Sequence, residues 1–384
     1  MKKTLIMILA LGGAALWPLA CGKNLAPSSA GSVTATATPT GPTATATPVV
    51  WQIVGSASFS AGAANSPVIA FNNSGQPYVA YSDGANSNKA TVMMYNGSSW
   101  AAVGGAGFSA GSADPSLALY NGTPYVAYSD GGNSGKATVM MYNGGGWAAV
   151  GGAGFTTGAA DSVVMAFNSS GQPYVAYGDQ ANSDRATVMM YNGGSWVLVG
   201  SADFSASTAY YLSLVINNNT PYLAFEDTSN SDKGAVLAYN GGSWVTVGGA
   251  DISATSANQT SLAVSPGGAP YVAYIDGNGS VKAVVAGYSG SNWQSVGGAD
   301  FSAGAINTPS LALNGNVLYV AYQDAANGDK ATLMMFSGYF WDTVGNVGFS
   351  ANSAYNTSLG INNGVPYVVY QDGSINGKAT VMEY

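Results

Sequence analysis

Residues 77–100 read PYVAYSDGANSNKATVMMYNGSSW, and this stretch is the best indicator of the fold because the chain repeats it. The copies begin at Pro77, Pro124, Pro173, Pro221, Pro270, Leu318 and Pro366. These seven copies fill nearly all of the chain after residue 50. A repeated unit of this length cannot bury its apolar face alone, so neighbouring units must pack together. The sequence therefore predicts one repeat architecture instead of two or three unrelated domains.

Each repeat contains four strand candidates. PYVAY and ATVMMY are rich in β-branched and aromatic residues, and the shorter runs SLAL and WAAVG complete the unit. Asn-Gly pairs between the third and fourth strands predict tight hairpins. The tryptophans that open the fourth strands recur every 47 to 49 residues: Trp51, Trp100, Trp147, Trp196, Trp244, Trp293 and Trp341.

Four strands per repeat at this period indicate an all-β protein, a seven-bladed β-propeller of four-stranded blades. The repeats begin with a fourth strand, WQIVG from Trp51, and end with a third strand, ATVMEY at Tyr384. We therefore expect the N-terminal strand to pair with the C-terminal blade and close the ring.

The Y-N-G-x-x-W turn resembles the Tyr-to-Trp hairpin of kelch repeats, although the kelch Gly-Gly doublet is absent after the second strand. The longer pattern "W..VG...FS.G" followed by "PYVAY.D......KATVMMYNG" is similar to repeats of uncharacterised bacterial secreted and surface proteins. This resemblance covers residues 51–384 and implies the propeller fold. It implies no activity.

Residues 1–21 have two lysines, an apolar run and a small residue before Cys21, as in a secretory signal peptide. The ending resembles the lipobox of bacterial lipoproteins, although Pro18 and Leu19 depart from its usual spacing. We expect Cys21 to be lipidated and residues 22–49, rich in Thr, Ala and Pro, to form an extended stalk below a propeller of residues 50–384. The expected product is a monomer at the bacterial cell envelope, attached to the membrane only by lipid.

The composition limits the possible partners and chemistry. The chain has 18 acidic and 10 basic residues and no histidine. Without a basic patch, a nucleic-acid partner is not expected. The absence of histidine removes the commonest general base and zinc ligand, so we expect no enzymatic activity, no cofactor and no metal.

An aspartate follows every second strand, and a basic residue stands six positions later, as in Asp83 and Lys89. We expect the aspartate either to bond loop amides or to form a loop-closing ion pair. A calcium site formed by Asp83 and Asn86 is the alternative, but a calcium loop normally contains several carboxylates.

A second set of side chains precedes each innermost strand and is expected at the mouth of the central channel. Its polar members suit either strand-start turns or a mildly acidic funnel for sugars or a cation. The set comprises Asn65, Asp114, Asp161, Tyr210, Asn258, Asn307 and Tyr355.

Departures from the repeat are further candidates, because packing does not require them. Tyr211 and Glu226 in the fourth unit join Tyr210 and Tyr355, and Tyr339 and Phe340 stand in the seventh. The residues predict a non-catalytic module that binds an envelope protein or a glycan. One alternative is a lectin with equivalent sites between neighbouring blades, and another is a glycoside hydrolase that uses Glu226.

Overall fold

The computed structural model describes residues 49–384 except residue 250, and the signal, Cys21 and stalk predictions lie outside this part. The described chain forms seven antiparallel four-stranded sheets, which confirms the predicted propeller. The innermost strands are β2 (Ala64–Phe71), β6 (Ser116–Tyr120), β10 (Ala160–Phe167), β14 (Ala209–Asn217), β18 (Ala257–Val264), β22 (Ile306–Asn314) and β26 (Ala354–Asn362).

The second strands follow the PYVAY motif. They are β3 (Pro77–Asp83), β7 (Thr123–Asp130), β11 (Pro173–Asp179), β15 (Thr220–Asp227), β19 (Pro270–Asp276), β23 (Val317–Asp324) and β27 (Val365–Asp372). The third strands are β4 (Lys89–Tyr95), β8 (Lys136–Tyr142), β12 (Arg185–Tyr191), β16 (Lys233–Tyr239), β20 (Ala283–Tyr288), β24 (Lys330–Phe336) and β28 (Lys378–Glu383).

The outermost strands are short. They are β1 (Gln52–Ile53), β5 (Trp100–Ala102), β9 (Trp147–Ala149), β13 (Trp196–Leu198), β17 (Trp244–Thr246), β21 (Trp293–Ser295) and β25 (Trp341–Thr343). Blade 1 is β2–β5, and the blades are numbered along the chain to blade 6, β22–β25. Blade 7 consists of β26, β27, β28 and the N-terminal strand β1.

The ring is closed as predicted. Gln52 pairs with Glu383 and Ile53 with Met382, so β1 completes blade 7. Each innermost strand contacts the innermost strands of both neighbouring blades, and β26 contacts β2. Among the described residues, no helix is long and apolar enough to cross a membrane.

The core lies between the blades. Val79 and Tyr81 of blade 1, for example, pack with Val369 and Val381 of blade 7 and are almost completely buried. Burying each such side chain contributes about 1.5–3 kcal/mol. Continuous apolar strands thus have both faces covered, as their composition predicts.

The tryptophans join neighbouring blades. Trp100 Nε1 donates to the Val54 carbonyl at 2.8 Å, and its ring stacks on Phe59 with the centroids 4.2 Å apart. Trp51 makes the same bond to Val344 across the closure. The outermost strands are therefore fixed by side chains as well as by their short ladders.

Candidate functional site

The face that carries the loops between second and third strands is called the loop face. Five of these loops contain a 3-10 turn: Gly84–Asn86, Gly131–Asn133, Gln180–Asn182, Thr228–Asn230 and Ala325–Asn327. The crossover loops between blades reach the same face, because each innermost strand starts opposite the end of a second strand, as Ala64 does opposite Asp83. The Asn-Gly turns lie on the opposite face, called here the turn face.

The loop aspartates have a structural role. Asp83 is fully buried and accepts hydrogen bonds from Ala85 N at 3.0 Å, Asn86 Nδ2 at 2.9 Å and Thr91 Oγ1 at 2.8 Å. A carboxylate bonded by three protein donors caps and rigidifies its own turn. The predicted bonding of loop amides by this aspartate is therefore confirmed.

The alternative of a loop-closing ion pair is wrong for the described residues. Their one ion pair joins Lys233 to Asp251 of the following crossover loop, with Nζ and Oδ2 2.9 Å apart. The reason is that loop donors and the Thr91 hydroxyl occupy the Asp83 carboxylate. Lys233 is partly exposed, and such pairs contribute about 0–1 kcal/mol.

The predicted ring of side chains does lie at the loop-face end of the innermost strands. Asp114, Asp161, Tyr210, Asn307 and Tyr355 are exposed, whereas Asn65 and Asn258 are half-buried. Each belongs to the first residues of an innermost strand or directly precedes it. The structure thus gathers the seven around the channel mouth, where a ligand-binding role stays a prediction.

Acidic side chains at and near the ring raise one another's pKa. Desolvation within the ring raises the pKa of Asp114, and the charge of Asp161 raises it further, although a hydrogen bond from Ser66 opposes the shift. Desolvation and the charges of Asp161 and Asp179 also raise the pKa of Asp184. Blades 2 and 3 therefore give the loop face a negative potential that disfavours anionic ligands.

In six of the seven blades, the residue that follows the ring position shows a backbone feature that the sequence analysis missed. Six innermost strands place the residue after the ring position in the left-handed region, with φ between 47° and 55°, where the ladder has a β-bulge: Ser66, Ser162, Tyr211, Gln259, Thr308 and Asn356. Pro115 holds this position in blade 2, and proline cannot adopt a positive φ. Non-glycine residues in this region are uncommon and concentrate at functional sites.

The bulges are bonded from blade to blade. Thr260 Oγ1 donates to the Tyr211 carbonyl at 2.6 Å, and Thr357 Oγ1 donates to the Thr308 carbonyl at 2.7 Å. Side chains of five blades line a channel cavity of about 500 Å³ at this level, among them Tyr211, Gln259 and Asn356. This volume is within the range of small-molecule sites, about 300–1,000 Å³.

Blade 4 provides the carboxyl group that departs most from the repeat. Glu226 is 6% exposed, and its Oε2 atom is buried without a hydrogen-bond partner. Desolvation raises the pKa of Glu226 to about 7, and the charge of Asp232 adds to the shift. In the ladder Glu226 stands opposite Tyr210, whose ring centroid is 6.5 Å from that of Tyr211. The structure therefore places the three predicted residues of this blade together.

The turn face carries a second kind of site, which recurs between blades and which the sequence analysis did not place there. Clefts of about 730, 310 and 460 Å³ lie at the boundaries of blades 1 and 2, 7 and 1, and 3 and 4. Each is lined by a second-strand tyrosine of one blade and by the proline, third-strand tyrosine and Asn-Gly turn of the next. These are Tyr78 with Pro124, Tyr142 and Asn143; Tyr367 with Pro77, Tyr95 and Asn96; and Tyr174 with Pro221, Tyr239 and Asn240.

The residues at these positions vary at other blade boundaries. Blades 5 and 6 have Ser289 and Ser337 where the cleft-forming blades have the turn asparagine. Between blades 2 and 3, the ring of Tyr120 lies so close to Gly171 that a Cβ on residue 171 would clash with it. In the clefts, the asparagine oxygen is used by the turn, as Asn143 Oδ1 accepts from two backbone amides at 3.0 Å.

The propeller is similar to several solved carbohydrate-related structures. It matches a polysaccharide lyase of family PL25, an ulvan lyase bound to GlcA(1-4)Rha3S, at 12% identity and a TM-score of 0.57, covering 84% of this chain and 94% of that one. It matches the polysaccharide lyase Uly1 at 11% identity and a TM-score of 0.53, covering 84% and 90%. An Aleuria aurantia lectin in complex with Fucα1-6GlcNAc is 16% identical, with a TM-score of 0.48 and coverage of 74% and 97%.

No family model and no curated protein matches the sequence. At these identities the structural similarities show the fold alone.

Two predictions from the sequence are nevertheless overturned. The matching propellers include polysaccharide lyases, so the expectations of a non-catalytic interaction module and of no enzymatic activity are wrong as drawn. Both expectations followed from the absence of histidine. Glu226 shows why histidine is not required, because burial and the nearby charge of Asp232 give this carboxyl a pKa near neutrality and thus the acid–base range of a histidine.

Proposed function

We propose that this protein is a carbohydrate-active propeller that binds glycans in the clefts between blades on the turn face. The observation that carries the proposal is the recurrence of one lining, two tyrosines, a proline and an Asn-Gly turn, at three boundaries. Tyrosine rings present an apolar surface with a polar end, which suits the alternating faces of a sugar. The similarity to carbohydrate-related propellers supports this choice.

Repetition has an energetic consequence. Three shallow clefts on one rigid ring can engage one branched or repetitive glycan together, so weak individual sites give a high overall affinity. The net acidic charge of the propeller, with 18 carboxyl groups against seven basic residues, favours glycans without sulfate or carboxylate groups.

The cellular setting belongs to the same proposal. Export by the signal at residues 1–21, lipidation of Cys21 and a stalk of residues 22–49 would hold the clefts away from a bacterial membrane. Kinship with bacterial surface lipoproteins that carry kelch-like repeats is part of this proposal and rests on the repeat pattern.

The clefts can be tested by removing phenol hydroxyls without changing the fold. Blade 6 has Phe336 at the third-strand tyrosine position, so phenylalanine is tolerated there. We expect Tyr95→Phe, Tyr142→Phe and Tyr239→Phe together to weaken binding of neutral glycans, identified on a glycan array, at least tenfold in calorimetry. The reason is that each lost hydrogen bond costs about 0.5–1.5 kcal/mol.

The matched control is Tyr288→Phe in blade 5, whose turn contains Ser289. It should leave the affinity within about twofold, since the turn of that blade lacks the asparagine that the three clefts share. A triple variant that binds as tightly as the unchanged protein would contradict the cleft proposal.

A further inference from the structure

Gln371 in blade 7 stands at the strand position that Glu226 holds in blade 4. There, Gln371 Nε2 donates to Asn65 Oδ1 of the next blade at 3.1 Å, and Asn356 Nδ2 donates to Gln371 Oε1 at 3.1 Å. Every polar atom of that side chain is therefore engaged. Blade 7 shows what a satisfied side chain at this position requires, namely a donor from the bulge residue and an acceptor across the boundary.

Blade 4 lacks the donor. Tyr211 occupies the bulge position that Asn356 holds in blade 7, and a carboxyl replaces the glutamine amide. The Oε2 atom of Glu226 is buried without a partner. An unpartnered buried oxygen of this kind destabilises the folded state, and a donor that arrives with a ligand would remove that cost.

The surrounding charges define the ligand. Asp227 follows Glu226 in β15, and Asp232 lies near enough to raise its pKa. Lys233, the basic residue nearest to Glu226 in the sequence, pairs with Asp251 instead, and the one ion pair among the described residues does not include Glu226. A cationic donor therefore fits this acidic site better than a neutral hydroxyl.

The aromatic surroundings point to a sugar that carries this cation. Tyr210 and Tyr211 are 42% and 44% exposed, and Tyr211 also lines the channel cavity. Exposed tyrosine faces attract ammonium groups and support sugar rings. We propose that Glu226, Tyr210 and Tyr211 form a single-copy site on the loop face that binds an amino sugar through its ammonium group. This site is separate from the turn-face clefts and adds a specificity to the glycan binding proposed there.

The test compares two oligosaccharides of equal length, a glucosamine tetramer with free amines and its N-acetylated counterpart. By calorimetry at pH 7, the protein should bind the amine form at least tenfold more tightly, because a hydrogen bond between charged groups is worth more than a neutral one. Glu226→Gln should bring the two affinities within about twofold. This change fits the fold, since blades 6 and 7 carry Gln323 and Gln371 at the same position.

The control removes a negative charge elsewhere. Asp342→Asn, in the outermost strand β25, should keep the tenfold preference. Equal affinities in the unchanged protein, or a preference that survives in Glu226→Gln, would overturn the amino-sugar site. The measurement is repeated in the triple Tyr→Phe variant, where the preference should persist, so that a failure of the clefts and a failure of this site are distinguished.

Discussion

Blades 1 and 4 have the same strand order and the same turns, but their loop-face chemistry differs. In blade 1 the buried Asp83 accepts a bond from Thr91, and the neighbouring Ser82 donates to the Asn88 carbonyl. In blade 4, Ala235 stands at the position of Thr91 and Glu226 at the position of Ser82. The aspartate of this blade, Asp227, is only half-buried. Blade 4 therefore keeps the backbone of the repeat without the two side-chain hydrogen bonds, from Thr91 and from Ser82, that blade 1 makes at this loop.

The largest expected effect concerns the loop aspartates. Asp83→Ala should lower the free energy of unfolding by about 3–5 kcal/mol, since it leaves the Thr91 hydroxyl and loop amides without an acceptor. Asp227→Ala should cost about 1 kcal/mol, because Asp227 bonds only the exposed Ser229 in its turn. Urea unfolding of both variants measures the difference, and equal losses would show that the two blades do not differ as described.

The pH dependence of folding stability should distinguish Glu226 from the residues at the same position in other blades. Burial raises its pKa from 4.5 to about 7, so the native state holds a proton that the unfolded chain releases. Stability from this group is therefore complete below pH 4.5, falls as the pH rises towards 7, and is lost above it. We expect Glu226→Gln to be more stable than the unchanged protein by about 2–3 kcal/mol at pH 8 and equally stable at pH 4.

Urea midpoints at the two pH values test this expectation. Asp342→Asn, which removes a charge from an outer strand, should show no comparable trend. A gain of equal size at both pH values would mean that packing, and not ionisation, distinguishes the glutamate.

The smallest effect would make blade 4 more like blade 1. Ala235→Thr places a hydroxyl where Thr91, Thr138 and Thr332 bond their aspartates in other blades. We expect a gain of about 0.5–1.5 kcal/mol, the net contribution of one buried hydrogen bond. A loss of stability in the thermal midpoint would show that Asp227 cannot turn inward to accept the bond.

The sequence predicts the closed seven-bladed propeller well because its signals are periodic. Tryptophans at a constant spacing, Asn-Gly turns and an odd strand at each end specify blades, hairpins and closure without any tertiary information. The aspartate before each loop is likewise recognisable as a turn residue. The ion-pair alternative was wrong because Thr91, eight positions away in the next strand, bonds the carboxylate in place of the lysine six positions away.

The candidate sites are harder to predict. The bulge positions hold Ser, Tyr, Gln, Thr and Asn, so no shared residue type indicates a left-handed backbone, and only Pro115 marks the exception. The clefts combine residues from two blades that each have an adequate structural role, the tyrosines in packing and the Asn-Gly pair in the turn. The recurring Pro-Tyr and Tyr-Asn-Gly motifs, considered across a blade boundary, were the available signal.

The pairing of β1 with β28 also determines how the propeller responds to force. The first and last strands of the described residues lie side by side in blade 7, where Gln52 pairs with Glu383. A pull on the chain that precedes β1 is therefore borne first by a two-residue ladder, the Trp51 indole bond to Val344 and the stacking of Trp51 on Phe349. The weakest mechanical point of the ring is its seam, so under tension blade 7 should open before any other blade loses a strand.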